Sequence, residues 1–165
     1  MVVSDRYHRQ RLVEGIGDDG QDAISKASVA IVGVGALGCL SSSMLARAGV
    51  GTLTLIDRDI VETTNLQRQL LFTEEDALSQ QPKAIAAANH LSTINSTINI
   101  VPHVEDLNSR NIGRIIGDTD VIVDGLDNFI TRYLLNDFAI KTNVPYLFAG
   151  VIAGQGNVMS VIPKR

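Results

Sequence analysis

The chain has 165 residues, 45 % of them hydrophobic and 19 % charged, with a formal net charge of −4 and a pI near 5.2. This is the make-up of one soluble globular domain with a sizeable core, and the acidic balance argues against a general nucleic-acid binder, which carries a basic excess. No apolar run approaches the roughly 20 residues needed to span a bilayer and the N-terminus turns polar too early for a secretion signal, so a cytoplasmic protein without a membrane partner is expected. The single cysteine, Cys39, excludes an internal disulfide and any zinc site built on paired cysteines. Its two readings are a small packed side chain and a thiol activated by a helix N-terminus.

Residues 1–27 read as an arm, Arg6-Tyr7-His8-Arg9-Gln10-Arg11, a glycine-rich turn from Gly15 to Gly20 and a short helical piece from Gln21 to Ala27. The arm has little apolar content to hold it on its own subunit, and termini of this kind stay loose unless tied down; docking elsewhere is expected. The core, residues 28–165, opens with a β-branched run ending at Val32. That run feeds Gly33-Val-Gly35-Ala36-Leu-Gly38, a G-x-G-x-x-G turn, followed by Leu37, Leu40, Met44, Leu45 and Ala48 at helical spacing. A second run from Thr52 ends in Asp57, 24 positions after Gly33.

Strand, glycine turn, helix, strand and carboxylate make the nucleotide-binding βαβ order. Gly33 allows the tight turn, Gly35 lets backbone approach a phosphate, and Gly38 lets the helix pack on the strand. The helix N-terminus faces the ligand's charge, and Asp57 is placed to accept hydrogen bonds from ribose hydroxyls. NAD, FAD, S-adenosylmethionine and ATP all remain open on this unit, as does a tight turn that binds nothing.

A polar connection with Asp59, Asn65, Arg68 and Gln69 follows. A short helix over Thr73–Leu78 has a cap-like Thr-Glu-Glu-Asp start, and Pro82 opens a helix from Lys83 to Ile94. Asn99–His103 is a strand, Ser109–Ile116 a helix ending at Gly117, and Val121–Asp124 a buried strand opening into Asp127 and Asn128. Ile130–Thr142 is helical, and strands at Pro145–Gly150 and Asn157–Ile162 form an antiparallel pair. The expected fold is therefore α/β: a Rossmann-like doubly wound, mainly parallel sheet with helices on both faces, its ligand beyond the strands' carboxyl ends near Gly35, Asp57, Asp59 and Asp127.

Asn65-Leu-Gln-Arg68-Gln69 supplies one guanidinium and three amides, and Lys83 a second cation. Two cations with a glycine loop suit a triphosphate better than a pyrophosphate bridge between nucleosides; the alternative for each cation alone is an exposed solvated charge. Asp124 and Asp127 are candidate Mg²⁺ ligands, since Mg²⁺ takes carboxylates together with phosphates. Nucleotidyl transfer fits this set better than hydride transfer.

Arg6-Tyr7-x-Arg9-Gln10, Gly33-x-Gly35-Ala36-Leu-Gly38, Asp57-x-Asp59, Asn65-Leu-Gln-Arg68-Gln69, Gln81-Pro82-Lys83 and Asp124-x-x-Asp127-Asn128 occur in this order. Together they resemble the MoeB/ThiF adenylyltransferases, prokaryotic relatives of ubiquitin-activating enzymes. The resemblance implies an ATP- and Mg²⁺-dependent enzyme that adenylates the C-terminal Gly-Gly carboxylate of a ubiquitin-like sulfur-carrier protein. It implies that Asp57 binds ribose, that Asn65, Arg68 and Lys83 hold phosphates, that Asp127 binds Mg²⁺, and that Arg9 reaches the triphosphate of the partner in a homodimer. The loop positions Gly33, Gly35, Ala36 and Gly38, with Asp59, Gln69 and Asn128, are expected to line the nucleotide. Ala36 stands where many relatives have glycine, which is tolerable if its φ is negative. The family's two zinc-binding C-x-x-C pairs are absent, so no zinc is expected, and the chain reads as a nucleotide-binding half or as a zinc-less branch. Three other readings compete: a zinc-less relative that dehydrates a modified tRNA adenosine, a scaffold that binds ATP without turning it over, and an NAD oxidoreductase.

Overall fold

The computed structural model describes residues 5–164. Two short helices, α1 (His8–Arg11) and α2 (Gly17–Lys26), precede β1 (Ser28–Val32), α3 (Ala36–Ala48) and β2 (Thr52–Ile56). A 3-10 turn (Thr63–Asn65), α4 (Glu74–Leu78) and α5 (Lys83–Ile94) lead to β3 (Asn99–His103). Then come α6 (Ile112–Ile116), β4 (Val121–Asp124), α7 (Phe129–Thr142), β5 (Tyr146–Ile152) and β6 (Gln155–Val161). The six strands lie in the order β3-β2-β1-β4-β5-β6, parallel except for the antiparallel β5–β6 hairpin at one edge.

Alternate residues of β1 face opposite cores, as the two-residue period of a strand requires. Val29 and Ile31 pack with Leu53 and Leu55 of β2 against Cys39 and Ala46 of α3 and Ala87 and Leu91 of α5. Ala30 and Val32 pack on the other face with Ile116 of α6 and Leu135 and Ala139 of α7. Both faces of the central strands are covered, which is why β1 is a continuous apolar run from Val29 to Val32 and why Thr54 of β2, between Leu53 and Leu55, is buried as well.

The expected sheet and its antiparallel edge are present. The helix at Lys83–Ile94 and the strand at Asn99–His103 lie where their residue patterns place them. Thr73 caps α4, its hydroxyl accepting from the Asp76 N–H while the Asp76 carboxylate accepts from the Thr73 N–H. Some boundaries moved. The helix read from Gln21 begins at Gly17, inside the stretch read as a turn, because Asp18 and Asp19 favour a helix N-terminus. The helix read from Ser109 begins at Ile112; Asn108 and Asn111 use their side chains on neighbouring backbone groups, the usual competitor of helix.

The arm departs most from expectation. It folds back on its own chain, over the end of α3 and α5. The Tyr7 ring covers Gly49, which has φ +84° and no room for a Cβ, and the Tyr7 hydroxyl accepts a 2.8 Å hydrogen bond from the buried Asn95 amide. Gln10 donates to the Ala48 carbonyl and to Gln21, and Arg6 to the Ile94 carbonyl. Polar side chains, not apolar content, tie this terminus down. Among the described residues no helix is long and apolar enough to cross a membrane.

Candidate nucleotide-binding site

Sheet register puts the loops together. Val32 pairs with Ile56 of β2 and with Asp124 of β4, so β1, β2 and β4 end level, and the chain leaves the sheet at Gly33, Asp57 and Gly125 side by side. Successive strands step outward from β1 to β3, then return to the other side with β4, the switch point at which such sheets bind ligands. A cleft of about 610 Å³ opens there, lined by the glycine turn and by Asp57, Asp59, Asn65, Arg68, Gln69, Lys83, Asp127 and Asn128 among others.

The three glycines have separate reasons. Gly33 has φ +90°, and a Cβ on it would lie 2.7 Å from the Gly125 carbonyl carbon and oxygen. A Cβ on Gly38 would overlap the Gly33 carbonyl, so α3 reaches β1 only without one. Gly35 is different: a Cβ there would meet nothing nearer than 3.8 Å and would project toward the cleft. Protein packing does not demand a glycine at Gly35; close approach of a ligand would. Ala36 is the first residue of α3 and is not among the positive-φ residues, so its methyl is unstrained.

Asp57 closes the turn from the β2 side. One carboxylate oxygen accepts from the Val34 N–H at 2.7 Å and the other from the Asp59 N–H at 2.8 Å. Burial pushes its pKa up, against the pull of those N–H groups and of Lys83. Lys83, buried at the start of α5, points its ammonium 3.2 Å from Asp59, and its N–H bonds the Asp59 carbonyl. Asp59 thus holds the Lys83 cation at the cleft. The Asn65 carbonyl oxygen accepts from the Glu62 N–H in a capping box, which leaves its NH₂ without a partner among the described residues. Gln69 is buried with its Oε1 unpartnered, and its Nε2 lies 3.9 Å from where a Gly35 Cβ would be. Rotating that amide by half a turn exchanges its two ends, so the orphaned position can present an NH₂ to an anion. Arg68 is exposed on the wall, donating to the Thr64 carbonyl.

Asp127 is exposed at the cleft and unpartnered among the described residues, and Asn128 caps α7 through Thr131. Asp124 does not join Asp127 as expected. It is 1 % exposed and points into the protein, where its oxygens accept from the Leu126 N–H, Arg132 Nε and the Tyr146 hydroxyl. Asp124 is therefore a structural carboxylate. Among the described residues no cluster of three or more His, Cys, Asp or Glu is placed to hold a metal. One free carboxylate facing a phosphate-sized space still fits Mg²⁺, which takes one or two carboxylates and completes its shell with phosphates and water. The cleft wall carries six carboxylates against four cations, and three of those cations, Arg58, Lys83 and Arg132, already face carboxylates.

Arg9, also read as part of the site, lies outside the cleft lining. It is exposed on α1 and has no hydrogen bond or ion pair among the described residues, while Arg6, Tyr7, Gln10 and Arg11 are all engaged. Cys39 is buried, with its thiol pushed up to about 11 mainly by that burial, so the packed reading holds over the reactive one. The sequence reading missed Arg132 and Gly125. A Cβ on Gly125 would overlap the Gly33 carbonyl; a glycine directly after the β4 carboxylate was its only signal.

Fold and cleft together define an α/β protein of the Rossmann-like class, in which a cleft at this place is where ligands bind. The chain belongs to the ThiF family, whose sequence profile matches residues 7–165. It is 44 % identical over 161 residues to the sulfur carrier protein ThiS adenylyltransferase of Bacillus subtilis, covering 98 % of this chain and 48 % of that protein. It is 40 % identical over 153 residues to the molybdopterin-synthase adenylyltransferase of Escherichia coli, covering 93 % of this chain and 61 % of that one. The crystal structure of E. coli MccB with ATP superposes with a TM-score of 0.81 at 30 % identity, over 88 % of this chain and 44 % of that chain. The chain thus spans 48 %, 61 % and 44 % of the length of these three proteins.

Proposed function

We propose that this chain binds Mg·ATP and adenylates the C-terminal carboxylate of a ubiquitin-like sulfur-carrier protein, with release of pyrophosphate. The observation that carries the reading is the level ending of β1, β2 and β4, which sets the open Gly35 backbone, Asp57, Lys83 and Asp127 around one cleft. The likeness to the two adenylyltransferases of B. subtilis and E. coli supports it.

In the reaction a carrier carboxylate oxygen attacks the α-phosphorus of ATP. A C–O–P anhydride bond forms, the bond to the bridging oxygen breaks, and pyrophosphate leaves with those electrons. The carboxylate is already the nucleophile, so no general base is needed; the protein's task is to align two anions and to stabilise charge on the leaving group. Asp57 orients the ribose while bracing the glycine turn. Asn65, Arg68, Gln69 and Lys83 meet the phosphates, and Asp59 keeps Lys83 in place. Mg²⁺, held by Asp127 and the phosphates, would neutralise triphosphate charge on a wall that is itself net negative. The same deficit of free cations favours a homodimer in which Arg9 of one subunit reaches the other's triphosphate. No zinc is assigned to this chain.

Calorimetry and pyrophosphate exchange test the proposal. ATP binding at micromolar to millimolar affinity is expected, with negligible binding of NADH. Lys83→Ala should weaken ATP more than adenosine, whereas Asp57→Ala should weaken ATP and ADP alike. Exchange of pyrophosphate into ATP should require a carrier ending in Gly-Gly. Tight NADH binding without ATP binding would overturn the reading, and ATP binding without exchange for any carrier would reduce it to a nucleotide-binding scaffold.

A further inference from the structure

Arg132 lies on α7, outside the site residues read from the sequence, yet it lines the cleft and is the most heavily engaged arginine near Asp127. Its side chain is 11 % exposed and its guanidinium carbon sits 5.4 Å and 4.8 Å from the ring centroids of Phe129 and Phe148. Nε donates to the buried Asp124 carboxylate at 3.1 Å, and Nη2 donates to the carbonyls of Leu126 and Ala149. One planar fork therefore joins the end of β4, the loop after it and strand β5.

That loop is where Asp127 stands. On one side Leu126 is held twice, by its N–H to Asp124 and by its carbonyl to Arg132. On the other, Asn128 is held by the Thr131 N–H, and Gly125 is pressed against the glycine turn. Asp127 is the one residue of the loop with an exposed, unpartnered side chain among the described residues. Its direction is set by the frame, and Arg132 is the member of the frame that ties the loop to the sheet.

We propose that Arg132 is a positioning residue for Mg²⁺-dependent nucleotide binding: it holds the Gly125–Asn128 loop so that the Asp127 carboxylate faces the cleft. The proposal rests on the reading of Asp127 as a Mg²⁺ ligand shared with ATP. A lysine at the same position keeps the charge but cannot bridge three acceptors at once with fixed geometry.

The test is calorimetric titration of ATP into the chain with Mg²⁺ and with EDTA, alongside thermal melts. In the wild type, Mg²⁺ should raise ATP affinity, and Asp127→Asn should abolish that gain while leaving binding in EDTA intact. Arg132→Lys should leave EDTA binding within twofold but raise the Mg²⁺ concentration needed for half of the gain at least fivefold. Combining it with Asp127→Asn should add nothing beyond Asp127→Asn alone, since both act on one interaction. If Arg132→Lys weakens ATP equally with and without Mg²⁺, or leaves the Mg²⁺ midpoint unchanged, the proposal is overturned. Should that variant be too unstable, Phe148→Leu loosens the same guanidinium with its charge in place, and an unchanged Mg²⁺ midpoint there overturns it equally. Absence of ATP binding, or of any Mg²⁺ effect, in the wild type would instead overturn the nucleotide reading and take this proposal with it.

Discussion

Three glycines of one motif answer to three different neighbours, and substitutions should separate them. Gly38 lies in a helix, where alanine would ordinarily gain roughly 0.5–1 kcal/mol. Its added methyl would overlap the Gly33 carbonyl, which belongs to backbone that cannot swing aside. Overpacking of that kind costs about 1–3 kcal/mol, so the clash wins and Gly38→Ala should lower the denaturation midpoint. Gly35 has an ordinary extended backbone, φ −83° and ψ −150°, and a Cβ there would make only ordinary van der Waals contacts, at 3.8 Å to the Gly125 carbonyl oxygen and 3.9 Å to Gln69 Nε2. Gly35→Ala should therefore melt like the wild type within a few degrees while losing ATP affinity on the order of tenfold, about the 1.4 kcal/mol of one blocked phosphate contact. Urea denaturation and calorimetry on the same two variants check both halves. An equal loss of stability in both variants would show that Gly35 is packed after all.

At the scale of elements, α4 shows how a few polar atoms seat a short helix. The five residues Glu74–Leu78 bury no side chain, and so short a helix is marginal without outside support. Thr73 and Asp76 cap each other, and the same Asp76 carboxylate lies 2.8 Å from His90 Nε2 on α5. Burial works against the Asp76 charge, but the Thr73 N–H, His90 and the Thr73 hydroxyl outweigh it and hold its pKa below the ordinary 3.8. A folded pKa below the unfolded one contributes stability that is fully present above the unfolded value and lost as pH falls through the folded one. Asp76→Asn should therefore cost about 1 kcal/mol near neutral pH, and the gap to the wild type should close once the pH is well below that ordinary value. Urea midpoints at several pH values from 7 down through and below the roughly 3.9 of an unperturbed aspartate measure it, the gap starting to shrink there and closing once the pH passes the lowered folded pKa. A gap that persists in acid would mean the carboxylate's charge is not what seats α4.

The whole molecule poses the question of where the triphosphate's last counter-charge comes from. Arg9 stands free on an arm whose other polar residues grip their own chain, so the arm presents it outward instead of carrying it as a loose tail. Phe129, Ile130 and Tyr133 on α7 and Val151, Ile152 and Val158 on the edge hairpin are large apolar side chains left exposed, the kind of residue that subunit contacts cover. If Arg9 acts across a dimer, mixing Arg9→Ala with Asp57→Ala chains under subunit exchange should restore ATP binding. One site of each mixed dimer then carries both lesions and the other neither. No recovery on mixing two defective variants would remove the role in trans, and full affinity of Arg9→Ala alone would remove Arg9 from the site. If the chain dimerises, sedimentation should show Arg9→Ala dimerising like the wild type, because the substitution deletes a charge and no apolar contact.

The alternation of strand and helix, the glycine turn, the Thr73 cap and the helix from Lys83 were legible because each depends on residues within a few positions of one another. The set Asp57, Asn65, Arg68, Gln69, Lys83 and Asp127 is spread along the chain and stood out by the order and spacing that carry the family resemblance; all six line the cleft. What the chain alone left undecided lies in contacts between residues far apart in it. Asp124 and Asp127 are two carboxylates three positions apart, alike on paper. Arg132 and Tyr146, eight and 22 residues from Asp124, draw it into the core and leave Asp127 at the cleft. Gly125 is required only because β4 lies beside β1 in a register that sets it against Gly33. The arm looked free because its anchors, Ala48, Ile94 and Asn95, are 38 to 88 residues away. Local propensity settles which elements form; the direction in which a polar side chain points is settled by whichever buried partner the packed sheet brings within hydrogen-bonding distance.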